Sequence, residues 1–255
     1  MEKEVAFKRR LLMSVDAKDY GAGDDRRQYA FQDALVRVLD RAAARSGLER
    51  STWIKQPAGD GELAILPSEQ SELEHVVVDD YVRELANALR AHNHDLRDEA
   101  RLRLRLAIHY GPFAPAENGY AGQGVLTVAR LVDAPPVKET LEAVPAACLA
   151  VVLSERIYID TIVNRHTSLS GDMFRKVRIR NKQFDGAAYL YLPGHDVHAI
   201  PLSEVDTVEK SDSDRTEVGA GRYRPAPGEA PPGVNTTING YVNIPSGVIG
   251  VAWNR

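Results

Sequence analysis

Leu11, Leu12, Met13 and Val15 crowd the stretch from residue 5 to residue 16, the pattern of a strand buried on both faces, and the run leads directly into Asp16. Gly21 and Gly23 interrupt the chain, and Asp24 and Asp25 offer capping oxygens. Tyr29, Phe31, Ala34, Leu35, Val38, Leu39 and Ala42 then recur at helical spacing up to Gly47. Residues 52–55 and 62–66 read as a hairpin joined through Gly59-Asp60-Gly61, with Asp60 at or beside its tip. Ser71 with Glu74 forms a capping-box pattern ahead of Val77, Val78, Tyr81, Val82, Leu85, Ala88 and Leu89, predicting a second helix that ends near His92 to Leu96.

Leu102, Leu104, Leu106 and Ile108 alternate with Arg103, Arg105 and Ala107, a strand expected to stop at Gly111-Pro112. A third helix follows Gly124, carries Val125, Val128, Ala129 and Leu131, and should not pass Pro135-Pro136. Residues 147–153 read as a buried strand, Ser154 to Asn164 as a short helix, and 174–180 and 187–192 as a last pair of strands around Asp185-Gly186. This order, with helices set apart from a mixed sheet, predicts an α+β sandwich of the ferredoxin-like kind.

Composition marks the domain limits. Pro and Gly gather between residues 204 and 234, predicting a linker that separates a catalytic domain, residues 1–203, from a strand-like tail, residues 235–255. A hydrophobic fraction of 44% allows a full core, so one domain with an appendage is expected for 255 residues. The single cysteine, Cys148, sits in an apolar run and pairs with nothing, which points to a reducing cytoplasm. No apolar run is long enough to span a membrane, and Met1-Glu2-Lys3-Glu4 lacks the apolar core of a signal peptide. A net charge of −4 argues against a general nucleic-acid binder; Arg97, Arg101, Arg103 and Arg105 are interrupted by acids and read as a solvated face.

An aspartate ending a buried strand and a second at a hairpin tip suit the convergence of carboxylates on Mg²⁺ or Mn²⁺, which take oxygen ligands and leave positions for substrate phosphates. Taken singly, Asp60 in Gly-Asp-Gly is ordinary turn chemistry. His92, His94, His195 and His198 read as helix-end and loop histidines before metal ligands. No P-loop, nucleophile elbow or Cys/His zinc pattern is present in the sequence.

Four segments in order resemble the class III nucleotidyl cyclases: Ser14-Val15-Asp16-Ala17, Gly59-Asp60-Gly61-Glu62-Leu63-Ala64, Leu106-Ala107-Ile108-His109-Tyr110-Gly111, and the helix from Gly122 to Leu131. The resemblance covers about residues 8 to 193. It implies two divalent ions held by Asp16, Asp60 and the backbone carbonyl of Ala17, with Arg130 stabilising charge at the α-phosphate. It also implies Lys182 as a triphosphate contact and a homodimer with composite sites, Arg130 coming from the opposite chain.

Departures from the purine pattern bear on the base. Gln56 stands where purine cyclases of this family place a Lys, Gly119 where they place an acidic acceptor, and Leu126 where a ribose-orienting Asn is usual. A compact domain with an altered base pocket resembles the bacterial pyrimidine cyclases of Pycsar anti-phage defence, which implies a cyclic UMP or cyclic CMP product read by a separate effector protein. Gln56 offers a donor and an acceptor to a pyrimidine edge, and Trp53 and Tyr120 are candidates to narrow the pocket. A purine cyclase and a non-catalytic nucleotide-binding or scaffolding module are the alternatives; Leu126 favours the last.

Overall fold

A computed structural model describes residues 5–22, 24–181 and 184–203. The linker and tail, residues 204–255, and Lys182 lie outside the described residues. The elements are β1 (Lys8–Ala17), α1 (Asp25–Arg45), β2 (Ile54–Pro57), β3 (Gly61–Ile65), α2 (Ser68–Ser71), α3 (Glu74–Val76), α4 (Val82–Asn93), β4 (Leu104–Ala116), β5 (Gly119–Ala121), α5 (Gln123–Val132), α6 (Pro135–Ala143), β6 (Leu149–Ser154), α7 (Glu155–Tyr158), β7 (Arg175–Asn181) and β8 (Phe184–Tyr191). Single π-helical turns, Val77–Tyr81 and Ile159–Val163, join α3 to α4 and extend α7.

The strands form one mixed sheet in the order β2-β3-β1-β4-β6-β8-β7, with β5 paired to the far end of β4. Only β4 and β6 run parallel; every other pairing is antiparallel. The sequence's expectation of a mixed α+β layer architecture is met.

Side-chain alternation divides the core by face. Leu11, Met13, Val15, Ala64, Leu104, Leu106 and Ile108 pack with α1, α4 and α7, whereas Leu12, Ile65, Ala107, Val152 and Leu190 pack with α5 and α6. A central strand with helices on both faces must be apolar on both, which explains the near-continuous hydrophobic run of β1.

Helix α1 starts as its sequence suggests: the Asp24 carboxylate accepts the Arg27 N–H at 2.9 Å. The Ser71–Glu74 capping box does not form. The Ser71 hydroxyl donates to the Leu66 carbonyl at 3.1 Å and accepts from the Leu11 N–H at 3.2 Å, so it pins β1 to the segment after β3 instead.

Strand β4 also runs past its expected stop. Beyond Ile108 it has left β6, and Pro112 faces β1 alone, so the missing N–H interrupts no second ladder. The break at Pro135-Pro136 is real, but a new helix, α6, begins there with proline in its first positions, where an N–H has no intrahelical partner. Asp185 and Gly186 do not form the last turn. They are paired within β8, opposite Arg180 and Ile179, and the Asp185 carboxylate holds Arg178 through two hydrogen bonds of 2.7 and 2.8 Å.

Candidate active site

The end of β1 and the β2–β3 turn are joined by main chain. Asp16 lies in register with Gly61 of β3 on one side and Arg105 of β4 on the other. Next in the chain, the Ala17 N–H donates to the Asp60 carbonyl at 2.8 Å. Residues of an extended strand present N–H and C=O to the same side, so the Ala17 carbonyl also faces the hairpin. The turn closes through Ala58 N–H to the Gly61 carbonyl and Asp60 N–H to the Ala58 carbonyl, both 2.9 Å.

Glycine is required on both sides of Asp60, for different reasons. Gly59 has φ +71°, and a Cβ on Gly61 would lie 2.1 Å from the Val15 carbonyl oxygen. The motif Gly59-Asp60-Gly61 is thus a consequence of pressing the turn against β1.

A groove of about 280 Å³ opens there, and its lining includes Asp16, Asp60, Gln56, Leu63, Tyr120, Val125 and Ala129. The structure therefore gathers two of the expected metal ligands and two of the expected base-pocket residues into one space.

The aspartates differ in their partners. Asp16 is ion-paired with Arg105, whose buried Nε has no hydrogen-bond partner among the described residues. Asp60 has no ion pair or side-chain hydrogen bond among the described residues. A carboxylate without a cation, facing a groove beside a second carboxylate and a main-chain carbonyl, is an oxygen donor set that fits a hard divalent ion. Among the described residues no cluster of three or more His, Cys, Asp or Glu side chains occurs, so substrate phosphates or water would complete the coordination. Arg105 is the residue the sequence reading missed; it was counted with a solvated face, and only the β1–β4 register reveals its contact with Asp16.

Gln56 and Gly119 prove to be one feature. A Cβ built on Gly119 would lie 2.8 Å from both Oε1 and Nε2 of Gln56, and Gly119 holds φ +96°. The carboxamide of Gln56 therefore occupies the space a side chain at 119 would fill. Tyr120 follows on β5 and packs against Phe113 with ring centroids 6.0 Å apart.

Helix α5 reaches the groove through Val125 and Ala129, one turn apart. Its close approach depends on glycine: a Cβ on Gly124 would lie 2.7 Å from the Pro112 carbonyl oxygen, and one on Gly111 2.7 Å from the Gly124 Cα. Arg130 is next to Ala129 but does not line the groove of its own chain, and it forms no ion pair or hydrogen bond among the described residues. Leu126 is 45% exposed.

Trp53 stands apart from the groove and is corrected as a pocket residue. It is buried on the α1–α4 side, edge-on to Tyr81 at 5.8 Å, with its indole N–H donating to Gln70 at 2.8 Å. Beneath it, Arg50 is buried and holds Glu62 through hydrogen bonds of 2.8 and 2.7 Å and also pairs with Asp40 of α1. Burial raises the Glu62 carboxyl above its ordinary value, opposed by the Arg50 charge. Of the histidines set aside above, His94 pairs with the exposed Asp95 at 2.7 Å, and the His198 ring meets the Asp172 carbonyl at 3.0 Å.

No family model matches the sequence, and no curated protein sequence matches it. Comparison of the fold with solved structures does give matches. The guanylyl cyclase Cya2 aligns over 79% of this chain and 100% of its own, with a TM-score of 0.51 and 12% identity. A bacterial light-regulated adenylyl cyclase aligns over 77% of this chain and 56% of its own, with a TM-score of 0.51 and 11% identity. At such identities the likeness is one of architecture. The chain has the fold of the class III adenylate and guanylate cyclase catalytic domains.

Proposed function

We propose that this chain is a nucleotide cyclase that converts a pyrimidine nucleoside triphosphate, UTP or CTP, into its 3′,5′-cyclic monophosphate and pyrophosphate. The observation that carries the reading is the shared groove, in which Asp16 and Asp60 converge while Gln56 fills the space above Gly119. Asp16, Asp60 and the Ala17 carbonyl would hold two Mg²⁺ or Mn²⁺ ions, which when bound neutralise triphosphate charge and lower the pKa of an attacking hydroxyl.

The chain's own residues then act as follows. Asp16 shares its carboxylate with Arg105, which orients it. Gln56 presents both a donor and an acceptor to a base edge, with Tyr120 as an apolar wall beside it. In the reaction the ribose 3′-oxygen bonds to the α-phosphorus, the bond to the β-phosphate oxygen breaks, and the hydroxyl proton leaves to solvent or a nearby carboxylate. Arg130 supplies positive charge at the α-phosphate of the opposite groove in a homodimer, which accounts for its absence from its own. Lys182 is proposed as a triphosphate contact. A role in anti-phage signalling through a separate cyclic-nucleotide-sensing effector belongs to the same proposal and rests on the sequence resemblance.

Incubation of the purified protein with each of the four ribonucleoside triphosphates and Mn²⁺, with products identified by mass spectrometry, tests it. Cyclic UMP or cyclic CMP in clear excess is expected. Predominant cyclic AMP would leave a purine cyclase, and no cyclic product from any triphosphate would leave a binding or scaffolding module, the reading that exposed Leu126 favours.

A further inference from the structure

A second opening, of about 220 Å³, lies where the end of α4, the start of β4 and the segment before β6 meet. Arg90, His94, Arg101 and Arg103 line it together with Asn93 and Cys148, and no carboxylate does. The charge is concentrated rather than cancelled. Arg103 spends its guanidinium on neutral groups: Nε donates to the Ala147 carbonyl and Nη2 to the Val144 carbonyl, both at 2.8 Å, and Nη2 also to that of Leu141. Arg90 donates to the neutral Asn87 carboxamide. Arg101 pairs with Asp98 and His94 with Asp95, each at 2.7 Å, and both carboxylates are exposed and outside the lining. The Asn93 carboxamide exchanges two 2.8 Å hydrogen bonds with Leu102, which fix its orientation at the opening.

In a chain of net charge −4, three arginines facing one opening, two of them with neutral partners and with acids only outside the lining, make a local electropositive site. Guanidinium groups match phosphate oxygens in geometry and charge. No Phe, Tyr or Trp lines it, so it offers no wall for stacking a base, and the occupant is a small anion.

We propose that this opening binds a small diphosphate-class anion at a site separate from the groove. It shares no lining residue with the groove, yet the short segment from Arg103 to Arg105 reaches toward both. The Arg103 side chain lines the anion site while its carbonyl accepts the Lys18 N–H at 2.9 Å, and Arg105, two residues on, grips Asp16.

The test is isothermal titration of the full chain with inorganic pyrophosphate in EDTA at constant ionic strength. Alkylation of Cys148, the only cysteine in the sequence and a lining residue, gives a second readout. Saturable binding is expected, weakened at least about tenfold in an Arg90→Gln/Arg101→Gln variant, since charge-assisted contacts to the anion are lost from two side chains. Binding should be unchanged within about twofold in Asp16→Asn/Asp60→Asn, and pyrophosphate should slow Cys148 alkylation in the parent protein. Absence of saturable binding at millimolar pyrophosphate overturns the proposal. So does equal affinity in the double-arginine variant, loss of binding in the double-aspartate variant, or alkylation that pyrophosphate leaves unchanged. Arg90 is exposed, Arg101 is partly exposed and both lie outside the core clusters and the groove, so the variant keeps the core packing, and the Cys148 readout in the parent does not depend on it.

Discussion

Two carboxylates of one hairpin, Asp60 and Glu62, stand two positions apart and have opposite surroundings. Glu62 is met by a buried arginine that also reaches α1, so its charge is spent on holding β3 to the helix layer. Both acids line the groove, but Asp60 has no cation among the described residues. Buried charge that is fully paired maintains a structure, whereas charge left without a partner beside an opening is available to a ligand. Sequence spacing does not separate the two, because one sits in the Gly59-Asp60-Gly61 turn and the other directly after it.

The contrast can be broken most sharply by removing each acid's function in turn. Asp60→Ala should lower cyclisation by at least about 10²-fold, the scale of losing a group that stabilises transition-state charge. It should leave the urea midpoint nearly where it was, because no native ion pair is lost. A steady-state assay beside a denaturation curve checks this; retained metal-dependent turnover removes Asp60 from the site.

Arg50→Ala should do the reverse to stability. It strands Glu62 in a buried setting and should cost about 3–5 kcal/mol, the usual result of removing one partner of a buried pair. Urea unfolding measures it, and a loss below about 1 kcal/mol would make the network a surface pair in effect.

The assignment of Arg130 to the opposite groove is sharpened by mixing. Asp60→Ala and Arg130→Ala chains, each inactive alone, should regain about a quarter of parental activity once subunits exchange. About half the dimers are then mixed, each with one intact site of two. No recovery in an exchanged mixture would put Arg130 in its own chain's site or outside the chemistry.

A smaller effect concerns pH. Burial, with Arg9 and Arg156 nearby, pushes the His109 imidazole down to about 4, and its Nδ1 is buried without a hydrogen-bond partner among the described residues. The unfolded imidazole binds its proton near pH 6.5, so the folded state should be fully favoured above that value. It should lose stability as pH falls from 6.5 toward 4, by about 3 kcal/mol at most. Stability curves of the parent and His109→Gln between pH 7 and 4 should diverge over that window; parallel curves would show that another group governs acid unfolding.

Local signals carried much of the fold. The apolar run of β1, the periodicity of α1 and the Gly-Asp-Gly turn each follow from short-range constraints, and all three appear where the spacing places them. What stayed hidden depends on neighbours distant in sequence. Ser71 had a helix-capping pattern but found a better use bridging Leu66 and Leu11. Trp53 has the chemistry of a pocket wall, yet it sits just before β2 and packs against Tyr81 in the core, a contact between positions far apart in sequence. Gln56 and Gly119 looked like two separate replacements. Their contact shows that each makes room for the other, a relation that 62 intervening positions conceal.

The hydrogen bond from the Ala17 amide to the Asp60 carbonyl has a thermodynamic consequence. Because main chain, not side chain, sets the spacing between the strand end and the turn, the loop entropy of bringing the two acids together is lost during folding. It is not lost again when a cation arrives. Cation binding then has only side-chain rotamers to order, which favours rapid, repeatable loading and release over many turnovers without rearrangement of the sheet.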